Sequence, residues 1–203
     1  MDIDKTIKKY ADMYRYGLKM QHFSDVSEKV RRYSKRLGKM YCSQKFAEHN
    51  VYPTMNAETI YAVIAMCLEL KEYGMSDKEM ISFSKLVFHK RRRFFDILTK
   101  CIGILPNCYS IARKWNISDH EKRVRDGSIT YDKFIVTDGK IEYKISKCMY
   151  VEMFEYYGIR QLCKIFCLTD EYSYANLKRH IRFIRHSDLS DGNCCHDEVI
   201  EKR

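Results

Sequence analysis

Apolar positions along this 203-residue chain fall into two textures. From residue 1 to about residue 116 they recur at helical spacing. Ile7, Tyr10, Ala11, Tyr14 and Leu18 predict a first amphipathic helix, and the stretch from Ser24 to His49 repeats the period at Val26, Val30, Tyr33, Leu37, Met40 and Tyr41, with Gly38 read as an interruption. Ile60, Val63, Ile64, Cys67 and Leu68 predict a helix with one buried face, capped by Asn56 and ended by Gly74. Ser76-Asp77-Lys78-Glu79 matches the S-x-x-E capping box and opens a further helix carrying Ile81, Leu86, Phe88, Phe95 and Leu98. Pro53 and Pro106 fall between these segments and mark connections.

After about residue 120 the period shortens. Ile129 to Val136 is rich in β-branched and aromatic residues, Asp138-Gly139 is a hairpin-turn signal, and Ile141, Tyr143 and Ile145 alternate with polar neighbours, so a hairpin with one dry face is expected. Helical spacing returns from Met149 through Val151, Phe154 and Tyr157 to a stop at Gly158, with a short helix expected from Ile159 to Leu168. His180 to His186 reads as a third strand, and Val199-Ile200 as the end of a fourth closing back on it after the turn at Asp191-Gly192-Asn193. The expected fold class is therefore α+β: a helical region over residues 1–120, packed on a small antiparallel sheet with a helical crossover over residues 121–203, as one co-packed unit.

Composition narrows the function classes. The longest apolar stretch, Ile60 to Leu68, falls well short of the ~20 residues needed to span a bilayer, and no basic-then-apolar leader opens the chain, so a cytoplasmic protein without a membrane span is expected. Nine cysteines, an odd number, argue against a disulfide framework and for packed thiols, metal ligands or a reactive residue. The net charge of +10 is unevenly spread, with 22 Lys and Arg against 13 Asp and Glu in residues 1–120 and 15 against 14 in residues 121–203. The run Lys90-Arg91-Arg92-Arg93 points all round a helix, which favours a solvated face over a nucleic-acid patch. No phosphate-binding glycine loop, H-E-x-x-H, G-x-S-x-G or paired C-x-x-C occurs.

What remains is a concentration of reactive groups in the last quarter of the chain: Cys148, Cys163, Cys167, Asp170, Arg185, His186, and Gly192-Asn193-Cys194-Cys195-His196-Asp197. They fall at expected element ends, where scaffolds present functional groups: Cys148 where a strand meets a helix, Cys167 and Asp170 where a helix runs into a loop, Arg185 at a strand end. Cys148, Cys167, Cys195 and His196 are candidate ligands for a divalent metal such as zinc, although their long, unequal spacings leave the cofactor unassigned. Structural roles compete with these. Cys148 and Cys163 suit packing, Asp170 suits a cap on Glu171-Tyr172-Ser173, Arg185 suits pairing with Asp188 or Glu198, and His186 and His196 suit solvent.

The order Cys148, then Cys167 with Asp170, then Arg185, Gly192 and Cys195 resembles the L-2-amino-thiazoline-4-carboxylic acid hydrolase family, with the likeness carried mainly by residues 125–200. Two places differ: Arg185-His186-Ser187-Asp188 stands where the family usually reads Arg-Thr-x-Thr, and Cys195-His196-Asp197 where it reads Cys-Asp-Phe, with Cys194 and Cys195 competing for the matching position. The resemblance implies a hydrolase that opens a small cyclic isothiourea-like ring at a C–N or C–S bond, giving an N-carbamoyl amino acid with a free thiol. It implies a small anionic substrate, Asp170 as acid and base, Arg185 as carboxylate clamp with Cys148 and His186 beside it, and Cys167 or Cys195 either attacking the ring carbon or ligating a metal that activates water. The alternative is a non-catalytic sensor or carrier that binds a small ligand or a metal on the same fold. The oligomeric state is not set by the sequence.

Overall fold

A computed structural model describes residues 2–203, with all side chains except those of Lys90 and Arg91, so the first half of the basic run lies outside the described side chains. The fold is α+β, and contacts divide the chain into two compact units, Met1–His89 and Lys90–Arg203.

The first unit holds α1 (Ile3–Met20), α2 (Val26–Tyr41), α3 (Gln44–His49), α4 (Ala57–Glu72) and α5 (Asp77–Val87). The capping signals act as expected: the Asn56 side chain accepts from Thr59 N–H at 3.0 Å, and Ser76 and Glu79 form a reciprocal capping box. Two expectations are corrected. Gly38 does not interrupt α2; a Cβ there would meet only Ile7 Cδ1, at 3.4 Å, so the turn continues and the break comes at Cys42-Ser43, where Ser43 caps α3. The helix after Asn56 has no solvent-facing side over most of its length, because Ile60 through Cys67 are all buried and α4 is the centre of this unit.

The second unit holds α6 (His89–Gly103), α7 (Cys108–Asp126), β1 (Ile129–Val136), β2 (Lys140–Cys148), α8 (Met149–Tyr156), α9 (Lys164–Asn176), β3 (Ile181–Ser187) and β4 (His196–Lys202). The apolar run expected as one helix from Ser76 is thus two, with Phe88 closing α5. The hairpin forms as expected, and the four strands pair antiparallel in the order β1-β2-β4-β3. In antiparallel sheets directly opposed residues share a face. Ile141 opposes Ile200, which opposes Phe183; Tyr143 opposes Glu198, which opposes Arg185; Ile145 opposes His196. One sheet face therefore grades from apolar to chemical along the strands. Its apolar end packs with Cys108, Tyr109 and Ala112 of α7 and with Leu177 just past α9.

The helix expected to stop near Leu168 runs on to Asn176, so Cys167 and Asp170 lie within α9 and not at a junction with a loop. Tyr174 stacks on Phe183 at 4.7 Å, Leu177 is buried, and Asn176 Nδ2 donates to Asp96 Oδ1 and Thr99 Oγ1, both at 2.8 Å, which together hold the last turns in place. Gly103 makes this docking possible, since a Cβ there would lie 2.3 Å from the Asn176 carbonyl oxygen. Among the described residues no helix is long and apolar enough to cross a membrane.

Candidate active site

Helical spacing on α9 and its preceding turn places Cys163, Cys167, Asp170, Glu171 and Tyr174 on one stripe, three or four residues apart. Strand alternation on β4 places His196 and Glu198 on the sheet face that this stripe covers. Cys148, the last residue of β2, leads into α8 from the same edge. Helix and strand periodicity thus bring three thiols, an imidazole and several carboxylates together.

The centre of the group is Cys167, Asp188 and His196, whose donor atoms all lie within 4.8 Å of one another. His196 Nδ1 lies 3.4 Å from Asp188 Oδ1 and 3.4 Å from the backbone nitrogen of Leu189, so the imidazolium can donate to the carboxylate and the neutral ring can accept from the amide. The ring also hydrogen-bonds the thiols of Cys148 and Cys167. Against desolvation, these thiols and the charges of Cys167 and Asp188 push His196 up to about 10. The hydrogen bond from Cys163, with that from His196, draws Cys167 down to about 6 despite burial. Cys163, left as the donor, moves up. Asp188 sits lower than usual: desolvation opposes this, but Ser190 N–H and Oγ donate to its Oδ1 at 2.7 and 2.6 Å. A nucleophile, a base and a group that orients the base are therefore within reach of one another. The same three side chains could ligate a metal ion.

Arg185 crosses the floor of the site. Its Nε donates to Glu198, its Nη1 to Glu171 at 3.1 Å, and both terminal nitrogens to the Cys167 carbonyl at 3.3 Å; Asp188 and Asp170 approach to 3.5 and 3.7 Å. The pairings with Asp188 and Glu198 that the sequence offered as Arg185's structural role are both formed. Glu198 also accepts from the Tyr143 hydroxyl. Asp170 is pushed up to about 7, first by desolvation and then by the Glu198 charge, with Arg185 opposing. Its side chain is nonetheless 58% exposed. The water that reaches it tempers the rise. On α7, Arg123 pairs with Asp119, and Asn116 Nδ2 donates to the hydroxyl of Tyr174 on α9 at 2.9 Å.

Cys195 and His186 do not join this group. The Cys195 thiol packs 3.6 Å from Ser187 Oγ and 3.8 Å from the Cys194 sulfur, while His186 is exposed beside the register shift that ends β3. The turn between the two strands places Asp188 and His196 in the positions that matter, with Gly192 at φ +86° closing it.

A family model for L-2-amino-thiazoline-4-carboxylic acid hydrolase matches residues 71–197, more than half of the chain. The chain belongs to the L-2-amino-thiazoline-4-carboxylic acid hydrolase family. The match begins near the end of α4, well before the segment that carried the resemblance, and closes at β4 just past His196. No curated protein and no solved structure matches the chain. Membership places the chain among hydrolase-like proteins. Within that family setting, Asp188, Glu198, Asp119, Arg123 and the tyrosines are the residues that sequence reasoning did not assign to the site; the alternation of β4 and the α7 spacing Asn116, Asp119, Arg123 are the signals that point to them.

Proposed function

We propose that this protein hydrolyses a small cyclic amidine or isothiourea, opening the ring by attack of Cys167. The observation that carries this reading is the arrangement of Cys167, His196 and Asp188 within 4.8 Å of one another, beside the carboxylate of Asp170. The Cys167 thiolate adds to the ring carbon between nitrogen and sulfur while Asp170 keeps the ring nitrogen protonated. The ring C–S bond breaks, and the departing sulfur takes the proton of His196. A water then adds to the same carbon, gives its proton to His196, and expels Cys167 as thiolate. One water is consumed, one C–S bond is broken, and the product is a carbamoyl compound with a free thiol. Asp188 holds the ring of His196 through both steps, as the third member of such groups does.

The test is release of free thiol from 2-amino-thiazoline-4-carboxylate or a ring analogue by the purified protein. Trapping of a substrate-derived adduct on Cys167, read by mass spectrometry of the tryptic peptide, supports the covalent route. Thiol release that persists in Cys167→Ser refutes it. Because the same three donors can hold a divalent ion, the assay is run after exhaustive chelation: activity that survives belongs to the thiolate, and activity that returns only with added zinc assigns the attack to metal-held water.

A further inference from the structure

We propose that the open edge of β3 is a docking groove for an acidic peptide in extended conformation, which joins the sheet as a fifth strand; this does not rest on the hydrolase reading. β3 is the last strand of the order β1-β2-β4-β3, so only one of its sides is paired. Arg203 N–H donates to the His180 carbonyl at 2.9 Å, which makes these two opposed residues a hydrogen-bonded pair. Bonded and non-bonded pairs alternate along an antiparallel ladder. Arg182 and Ile184 therefore turn their backbone groups to β4, while Phe183 and Arg185, opposite Ile200 and Glu198, turn theirs outward. Two N–H and two C=O groups, spaced about 7 Å apart by strand geometry, are presented along the edge. Before them, Ile181 N–H is taken by the Leu177 carbonyl at 3.0 Å, and after them the register shift between Arg185 and Ser187 ends the edge.

A groove of about 430 Å³ follows this edge. It is lined by Phe183 and Arg185 on one sheet face and by Arg182, which strand alternation puts on the other, and space that touches both faces of β3 runs past its free edge. Lys178, just past α9, and Arg203, just past β4, complete a set of four cations, against Glu171 as the one carboxylate side chain of the lining. Glu171 engages Arg185 at 3.1 Å and Glu201 approaches Arg182 at 3.9 Å, whereas Lys178 and Arg203 form no ion pair among the described residues. This charge selects the occupant. A second copy offering the same edge would set like charges against each other, which opposes pairing. A small anion would answer the cations and leave the outward backbone groups of Phe183 and Arg185 unused. An extended chain with carboxylates at alternate positions answers both, and the stacked rings of Tyr174 and Phe183 in the lining give its other side chains an apolar surface.

Titration of the full chain with synthetic peptides, with amide hydrogen exchange followed by NMR, tests this. The probe is an acetylated and amidated heptapeptide of alternating Glu and Val; its Lys-Val counterpart and inorganic phosphate are the comparisons. The expected result is binding of the Glu-Val peptide at least ~10-fold tighter than phosphate, with no binding of the Lys-Val peptide. At saturation the Phe183 and Arg185 amides should exchange at least ~10-fold more slowly, and be slowed more than those of Arg182 and Ile184, which the ladder already holds. No binding of the Glu-Val peptide overturns the proposal and leaves the cations as guards of the edge. Binding without slowed exchange at Phe183 and Arg185, or phosphate binding as tight as the peptide, overturns it in favour of a simple anion patch. Slowed exchange of the same amides with rising protein concentration and no peptide gives the edge to a second copy and also overturns it. Joint replacement of two exposed cations, Lys178→Glu and Arg182→Glu, should weaken the peptide at least ~10-fold; unchanged affinity places the peptide elsewhere and overturns the assignment to this edge. None of these readouts needs turnover, so thiol release or its absence bears on the hydrolase reading alone.

Discussion

Glu69 in the helical unit and Glu198 in the sheet unit are near-copies of one another. Both are buried, at 1% and 3% exposure, and each accepts from a tyrosine hydroxyl and from an arginine Nε: Tyr73 and Arg36 for Glu69, Tyr143 and Arg185 for Glu198. Their surroundings differ. Glu69 and Glu72 share two guanidiniums, Arg32 and Arg36, so charge is matched one to one. Glu198 shares a single guanidinium with Asp170, Glu171 and Asp188. A matched pair holds helices together; an unmatched one creates a field that shifts its neighbours. Desolvation and then the Glu198 charge raise Asp170, and the Asp188 charge adds to the thiols in raising His196, whereas Cys167 falls through its hydrogen bonds with Cys163 and His196 and against the charge of Asp188.

The sharpest way to break the comparison is to exchange a thiol in each unit. Cys167→Ser should cost at least ~10³ in the rate of thiol release, the scale for loss of a nucleophile acting with its base, with the unfolding midpoint little changed. Cys67→Ala, in the packed middle of α4, should cost about 1 kcal/mol in urea unfolding and leave the rate alone. If both variants changed only stability, the sheet unit would hold no special thiol.

Asp170 gives the next effect. With Cys167 acting deprotonated from about pH 6 upward and Asp170 acting protonated below about 7, kcat/KM should peak in the narrow interval between them. The acid limb falls because the thiolate is lost, and the alkaline limb because Asp170 ionises. Asp170→Asn should lower the peak by about 10²-fold, the usual contribution of a positioned acid, and abolish the limb near 7. An alkaline limb that survives in this variant assigns it to another group.

The paired glutamates come third. Glu69→Gln leaves two guanidiniums to Glu72 and should lower stability by about 1–3 kcal/mol, the cost of disturbing a charged buried hydrogen bond. Glu198→Gln should cost less, because it relieves crowding among four carboxylates, while still changing the rate. Urea unfolding of both variants decides it, and equal losses would mean that the charge imbalance around Arg185 carries no energy. The smallest effect is expected from Ser76→Ala, about 1 kcal/mol for the lost cap, with no change in rate.

Much of the fold can be read from local pattern. The capping box at Ser76, the Asp138-Gly139 hairpin and the strand after His180 depend on nearest neighbours, and the structure contains each of them. The polar run Thr169-Asp170-Glu171 reads as a loop from its sequence, whereas Tyr174 on Phe183 and Asn176 on Asp96 hold it helical. Cys195 carries the motif in the sequence, but the residue beside it, His196, is the one that meets Cys167 and Asp188, since a strand turns successive side chains to opposite faces.

Taken alone, the amino-acid sequence determined the α+β class, most element starts, the chemical inventory of the last quarter and the likeness to a hydrolase family, because propensity, capping and periodicity act over a few residues. The tertiary structure decided which of those groups meet. Asp188 comes to His196 through a turn, Arg185 to four carboxylates through a helix and two strands, and Asn116 of α7 to Tyr174 of α9. Electrostatic fields act through space, so the balance of charge that distinguishes this site from the matched cluster at Glu69 exists only once the strands and helices have packed.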